Sequence, residues 1–202
     1  MPPAAAQRPA RPISVETHAE DQLSFIRRTM ERSSTFTAVS GWGGVGMGVI
    51  AVAAATAGAM QPTAERWLAA WLAAAAVAFV LGIVAMRRKA ARVGVLLNGA
   101  PGRRFAIGLL APLTAGAALT AGLWLQNAWA LMAPTWLLLY GAGVITGGAF
   151  SVAPMQPLGF AFMGLGGLAL VTPPSWGNMW LAVGFGGLQI GFGLYIARKH
   201  GG

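Results

Sequence analysis

Six stretches of this chain contain no Asp, Glu, Lys or Arg, at about 37–60, 67–86, 105–125, 130–150, 152–172 and 178–197. Each is close to the ~20 residues that an α-helix needs to cross ~30 Å of hydrocarbon at 1.5 Å per residue. The fifth is the weakest, because Pro154 and Pro157 leave its clean part at 158–172. Helices are the expected form. An open strand edge cannot satisfy its backbone in lipid, and the runs lack the period-two alternation of a barrel.

Composition supports this reading. Charged residues make up 9% of the chain and hydrophobic residues 56%, whereas a water-facing domain carries about 25% charged residues. So few charges do not cover an aqueous surface, and an all-α membrane protein is expected: a six-helix transmembrane bundle over 37–197. Ahead of it, 1–13 reads as a disordered Pro- and Ala-rich tail. Residues 14–36 read as a short amphipathic cytoplasmic or interfacial helix. Thr17 and Glu20 have capping-box spacing, Val15, Ala19, Leu23, Ile26 and Met30 recur at helical intervals, and Arg27 and Glu31 sit at i and i+4. Residues 198–202 form a cytoplasmic tail. No signal-peptide core precedes residue 37, so the first run reads as a retained anchor despite the small residues Ala57-Gly58-Ala59 at its end.

Charge placement sets the expected orientation. With six spans and the N-terminus inside, every one of the 14 Lys and Arg residues except Arg66 falls on the cytoplasmic side, as the positive-inside rule requires. Trp67, Trp71, Trp124, Trp129, Trp136, Trp176 and Trp180 fall at the opposite ends, with Trp42 the exception. Indoles favour the headgroup region, so a one-sided outer belt is expected. Both termini are then cytoplasmic. The net charge of +9 follows from topology and does not point to nucleic acid.

The spans contain no His, Cys, Asp or Glu, the side chains that intramembrane metal, haem and proton-relay sites use. This argues against an intramembrane protease, a dihaem cytochrome and a carboxylate-driven antiporter. No cofactor and no catalytic residue is expected. His18, His200 and Glu65 read as solvated. Backbone carbonyls remain open as ion ligands.

The features left are modest. Ser40, Gly44 and Gly48, Gly143 with Gly147, and Gly187 with Gly191 have the four-residue spacing that lets helices approach closely. Packing is the first reading, and a groove for a lipid tail or partner helix the second. Pro112 lies in mid-helix and Pro134 one turn into its run, each a static kink or a hinge. Gln189 is the most polar side chain well inside a span and is expected to hydrogen-bond a neighbouring helix. Thr114, Thr120, Thr146 and Tyr140 add further polar contacts. Between the second and third runs, 87–104 reads as the one long connection, with 93–97 lying on the membrane surface. Its Arg87, Arg88, Lys89, Arg92, Arg103 and Arg104 are the candidate contacts for anionic lipid headgroups or a protein partner.

The stretch ETHAEDQLSFIRRTMERSSTFTAVSGWGGVG and the ending GFGGLQIGFGLYIARKHGG resemble the corresponding parts of a group of uncharacterised bacterial six-span membrane proteins. The resemblance implies the fold and a bacterial inner-membrane location, and brings no activity or site residues with it. Two functions are therefore expected to compete. One is an accessory or regulatory membrane component, not an enzyme, acting through the cytoplasmic helix and basic loop on a membrane or cytoplasmic protein. The other is a small carrier of a neutral or lipophilic compound, with a homo-oligomer open in either case.

Overall fold

A computed structural model describes residues 36–199. The expected disordered tail, the amphipathic helix before Phe36 and the residues after Lys199 lie outside this range.

Each helix begins where a local signal allows it. Helix α1, Gly41–Ala59, starts later than the apolar run because Ser40 caps it, its hydroxyl accepting from Gly43 N at 3.1 Å. Such a cap is worth ~1 kcal/mol. Helix α2, Ala64–Val93, is capped by Thr63, carries Glu65 in its first turn and Arg92 in its last, and stops at Gly94 in the left-handed conformation (φ 67°). Those charges complement the helix dipole. Helix α3, Ala100–Leu125, opens with Pro101 in its first turn, where a missing N–H costs nothing. Helix α4, Trp129–Gly148, opens with a 3-10 turn, and α5, Met155–Val171, follows Pro154. Helix α6, Pro174–Lys199, is interrupted by a π-helical segment, Ala182–Leu188.

The connection expected over 87–104 is mostly helix. Nothing breaks the chain before Gly94, and Arg, Lys and Ala are good helix formers, so α2 runs on through Arg87–Arg92 and the true connector is 94–99. Along 93–97, Val95 and Leu97 pack against the core, whereas Val93 and Leu96 are exposed.

Among the described residues, α1, α2, α3, α4 and α6 are long and apolar enough to cross a membrane, while α5 has 17 residues. The only non-helical pairing among them is a parallel bridge between Phe36 and Ser151. The protein is an all-α bundle of membrane character.

The helices form two trios: α1 packs against α2 and α6, and α4 packs against α3 and α5. The first half of α6 joins the trios by touching α4 and α5. Small residues permit the close approaches. A methyl on Gly48 would sit 3.0 Å from Gly186 O on α6. On α4 and α5, Gly141 and Gly159 each back onto the other's carbonyl, 2.7 Å from where a Cβ would lie. Gly143 and Gly147 meet α3 through Leu109 O and Phe105 O. Gly187 and Gly191, the third expected pair, have nothing near them. The packed face of α6 is instead Gly186, Ile190, Gly193 and Ala197.

Candidate functional site

Side-chain contacts divide the bundle into a tryptophan end and a basic end. At the tryptophan end, Asn178 on α6 is the hub. Its Oδ1 accepts from the indoles of Trp67 (3.1 Å) and Trp71 (3.0 Å) on α2, and its amide donates to Ala55 O on α1 (2.9 Å). Trp67 stacks on Trp136 of α4, with ring centroids 5.6 Å apart and planes 4° apart. Trp136 donates to Thr120 of α3 (2.8 Å), and Trp180 to Thr172 at the end of α5 (2.8 Å). These bonds join the start of α2, α4 and α6 to the end of α1, α3 and α5. The helices therefore alternate in direction.

The expected belt is accordingly split. Trp124 and Trp176 are exposed, whereas Trp71 is 5% exposed and Trp67, Trp71, Trp136 and Trp180 all direct their indole N–H into the protein. The composition rule that puts indoles at the interface does not separate those facing lipid from those facing a polar partner.

From this end a column of rings runs inward. Trp71 meets Phe185 on the π-helical segment of α6, and Phe185, Tyr140 and Phe162 meet one another at 4.7–5.2 Å. Gln189 is buried at its foot and donates from Nε2 to the Tyr140 hydroxyl, linking α6 to α4. This is the interhelical role expected of it.

Pro112 lies inside the continuous helix α3. Its ring deprives the carbonyl of Gly108, four residues earlier, of a donor. Thr146 on α4 supplies one: its hydroxyl lies 2.6 Å from Gly108 O, nearer than to Ala142 O (2.9 Å) or Gly143 O (3.2 Å) of its own helix. A methyl on Gly108 would meet Gly147 N at 2.8 Å, so the two backbones are in contact there. The freed carbonyl is satisfied by a neighbouring helix, as freed carbonyls in membrane helices commonly are. Pro134 is buried in the first turn of the α-helical part of α4, Met132–Gly148, near the helix start, where proline is best tolerated.

The basic end collects Arg87, Arg88, Lys89 and Arg92 from the end of α2 and Arg103 and Arg104 from the start of α3. Arg198 and Lys199 close α6. Lys89 stands apart from the others. It is 5% exposed and donates to Val39 O at 2.9 Å, holding the segment that leads into α1. The same segment is held by Phe36, whose N–H donates to Phe150 O (2.7 Å), whose carbonyl accepts from Ser151 Oγ (2.8 Å), and whose ring stacks on Phe105 at 4.9 Å. Arg104 lies over the Phe150 ring at 5.7 Å. Arg87, Arg88, Arg92, Arg103 and Arg104 are exposed at this end.

Two features escaped sequence reasoning. Asn178 drew no reading from the sequence, because its role depends on indoles of α2 that lie more than 100 residues away. The π-helical segment left only the cluster Gly184, Gly186 and Gly187 as a sign. Among the described residues no buried side-chain polar atom lacks a hydrogen-bond partner, and no group of three His, Cys, Asp or Glu is placed to hold a metal ion. No protein-family model, curated protein or solved structure matches the chain.

Proposed function

We propose that this chain is a six-span protein of a bacterial inner membrane, with both termini cytoplasmic, and that it serves as an accessory or regulatory component. The observation that carries this reading is the placement of charge. Among the described residues every Lys and Arg except Arg66 lies at the basic end, and Glu65 is the single carboxylate, at the other. Positive charge held on one side of a bundle is the cytoplasmic signature. Of the candidate contacts, the five exposed arginines present a surface to anionic lipid or a partner protein, and Lys89 supports that surface from behind.

The centre of the bundle agrees with this role. Its polar groups are paired, its rings pack against one another, and the carbonyl that Pro112 frees is bonded to α4. Such a core transmits no solute without breaking several contacts at once. The test is affinity purification from native membranes in mild detergent, with and without residues 1–34. A stoichiometric protein that co-purifies with the full chain and is lost on truncation supports the role. A chain that purifies alone argues against it.

The second reading, a carrier of a neutral or lipophilic compound, is favoured by one observation. The π-helical segment of α6 lies between the Asn178 hub and the Gln189–Tyr140 bond, and such segments often mark sites of movement or function. Flux above that of empty liposomes, altered by Gln189→Ala, would select it.

A further inference from the structure

The polar side chains inside the bundle differ in how much of their bonding capacity they use. Asn178 makes three hydrogen bonds, with two indoles and a carbonyl. Thr120 accepts from Trp136 and donates to Gly116 O. Gln189 and Tyr140 use far less. A side-chain amide can make four hydrogen bonds, and a phenol can both donate and accept. Among the described residues each of these two side chains has a single bond, the one to the other. Nε2 of Gln189 donates in it and the Tyr140 oxygen accepts, so the Tyr140 O–H and Gln189 Oε1 are left over.

The two leftover groups stand in apolar surroundings. The Tyr140 ring meets Phe162 at 4.7 Å and Phe185 at 4.9 Å, both edge to face, and Gln189 is 6% exposed. A hydroxyl or carbonyl kept from water without a partner is costly. Yet Oε1 is not sealed off. No fully buried side-chain N or O among the described residues lacks a partner, and no donor among them meets Oε1. Oε1 therefore belongs to the small part of Gln189 that stays accessible, and accessible surface is surface that a water molecule can touch. An acceptor within reach of one water lies beside a hydroxyl that needs an acceptor.

We propose that Gln189 and Tyr140 hold one ordered water molecule between α6 and α4. The water accepts from the Tyr140 O–H and donates to Gln189 Oε1, completing a cycle with the bond already present. Turning the amide over exchanges the roles and keeps the site: Tyr140 then donates to Oε1, and the water accepts from Nε2 and donates to the phenol oxygen. Two polar partners are enough to retain a buried water. Charged guests are poorly served. A hard cation takes about six or more oxygens and would find two here, with an N–H beside them; no Lys or Arg lies in the spans to hold an anion. The site lies at the seam of the two trios, α6 belonging to one and α4 to the other. A link completed by water lets the trios shift slightly without stranding either polar group, because a water-mediated bond is nearly as good as a direct one.

The experiment is a crystal structure of the full chain grown in lipid, at a resolution that shows ordered water. The wild type is expected to have one peak within hydrogen-bond distance of both the Gln189 amide and Tyr140 Oη. Gln189→Leu and Tyr140→Phe, the second keeping the ring contacts, should each lose it. Ordered water elsewhere in the map with none here would overturn the proposal. So would a peak touching only one of the two groups, a peak that persists in both variants, or the elongated density of a lipid or detergent tail. Solid-state NMR of the chain in bilayers, labelled with ¹⁵N-glutamine, is a second measurement that needs no crystal. Magnetisation should pass from water to the Gln189 side-chain amide, a signal identified by its loss in Gln189→Leu. No transfer there, under conditions in which the exposed Gln126 shows it, would equally overturn the proposal.

Discussion

The hydroxyl of Thr146 on α4 lies 2.6 Å from the carbonyl of Gly108 on α3, the carbonyl that Pro112 leaves without a helical donor. The proline and the threonine are on different helices, yet they act as a unit. The proline frees an acceptor, and the threonine satisfies it where Gly108 and Gly147 let the helices touch.

Thr146→Val should therefore destabilise the bundle by about 0.6 kcal/mol, the average for interhelical hydrogen bonds in membranes, and by no more than about 1.7 kcal/mol, and Thr146→Ser should retain most of the stability. The sharper outcome is a coupling. Pro112→Ala restores the N–H that Gly108 O lacks, so the valine substitution should cost less in that background. Denaturant unfolding of the four variants in detergent measures the cycle. Additive effects would mean that threonine and proline are unrelated.

Asn178→Leu keeps the branched shape at the tryptophan end and removes the acceptor shared by Trp67 and Trp71. Two partly buried indole N–H groups are then left unpaired, at a cost of about 1–3 kcal/mol for each such group. Lower thermal stability should accompany a shift in tryptophan emission. Unchanged emission would mean that the indoles find other partners.

The glycines should divide into two classes. Gly141→Ala or Gly159→Ala drives a methyl to 2.7 Å from a carbonyl of the facing helix and should cost about 1–3 kcal/mol through overpacking. Gly164→Ala and Gly191→Ala meet open space and should be neutral, or stabilising by up to about 1 kcal/mol. Thermal melts in detergent separate the classes.

Topology is directly measurable, because the chain has no cysteine. Single substitutions Gln126→Cys and Ser175→Cys should react with a membrane-impermeant maleimide in intact cells, and Arg92→Cys only after permeabilisation. Labelling at 126 but not at 175 would mean that α5 does not cross. Labelling at 92 alone would reverse the orientation.

Much of this bundle was legible because lipid imposes a simple rule on composition. Uninterrupted apolar runs located the helices, and charge at their ends placed the arginines of α2 and α3 at one end of the bundle. Helix ends were less legible. The end of α2 is decided by Gly94 rather than by the first arginine, because charge ends a hydrophobic run but not a helix. Small-residue spacing succeeded on α1 and α4 and failed on α6. There five glycines between 184 and 193 offer several registers, and the packed one uses Gly186 and Gly193, two turns apart with Ile190 between. Asn178 and the Thr146–Gly108 bond were out of reach for a different reason. Each depends on which residues of distant helices arrive at the same depth, and no local pattern encodes that.

The bridge between Phe36 and Ser151 joins residues 115 positions apart and has a consequence for biogenesis. During synthesis, at about 5–20 residues per second, the entry to α1 leaves the ribosome well before Ser151 exists. For several seconds at the least, Phe36 has neither its backbone partner nor, until α3 is made, the ring of Phe105 to stack on. The first helix is thus inserted early and latched late. A substitution at Ser151 or Phe105 should leave insertion intact and show its defect only in the final closure of the basic end.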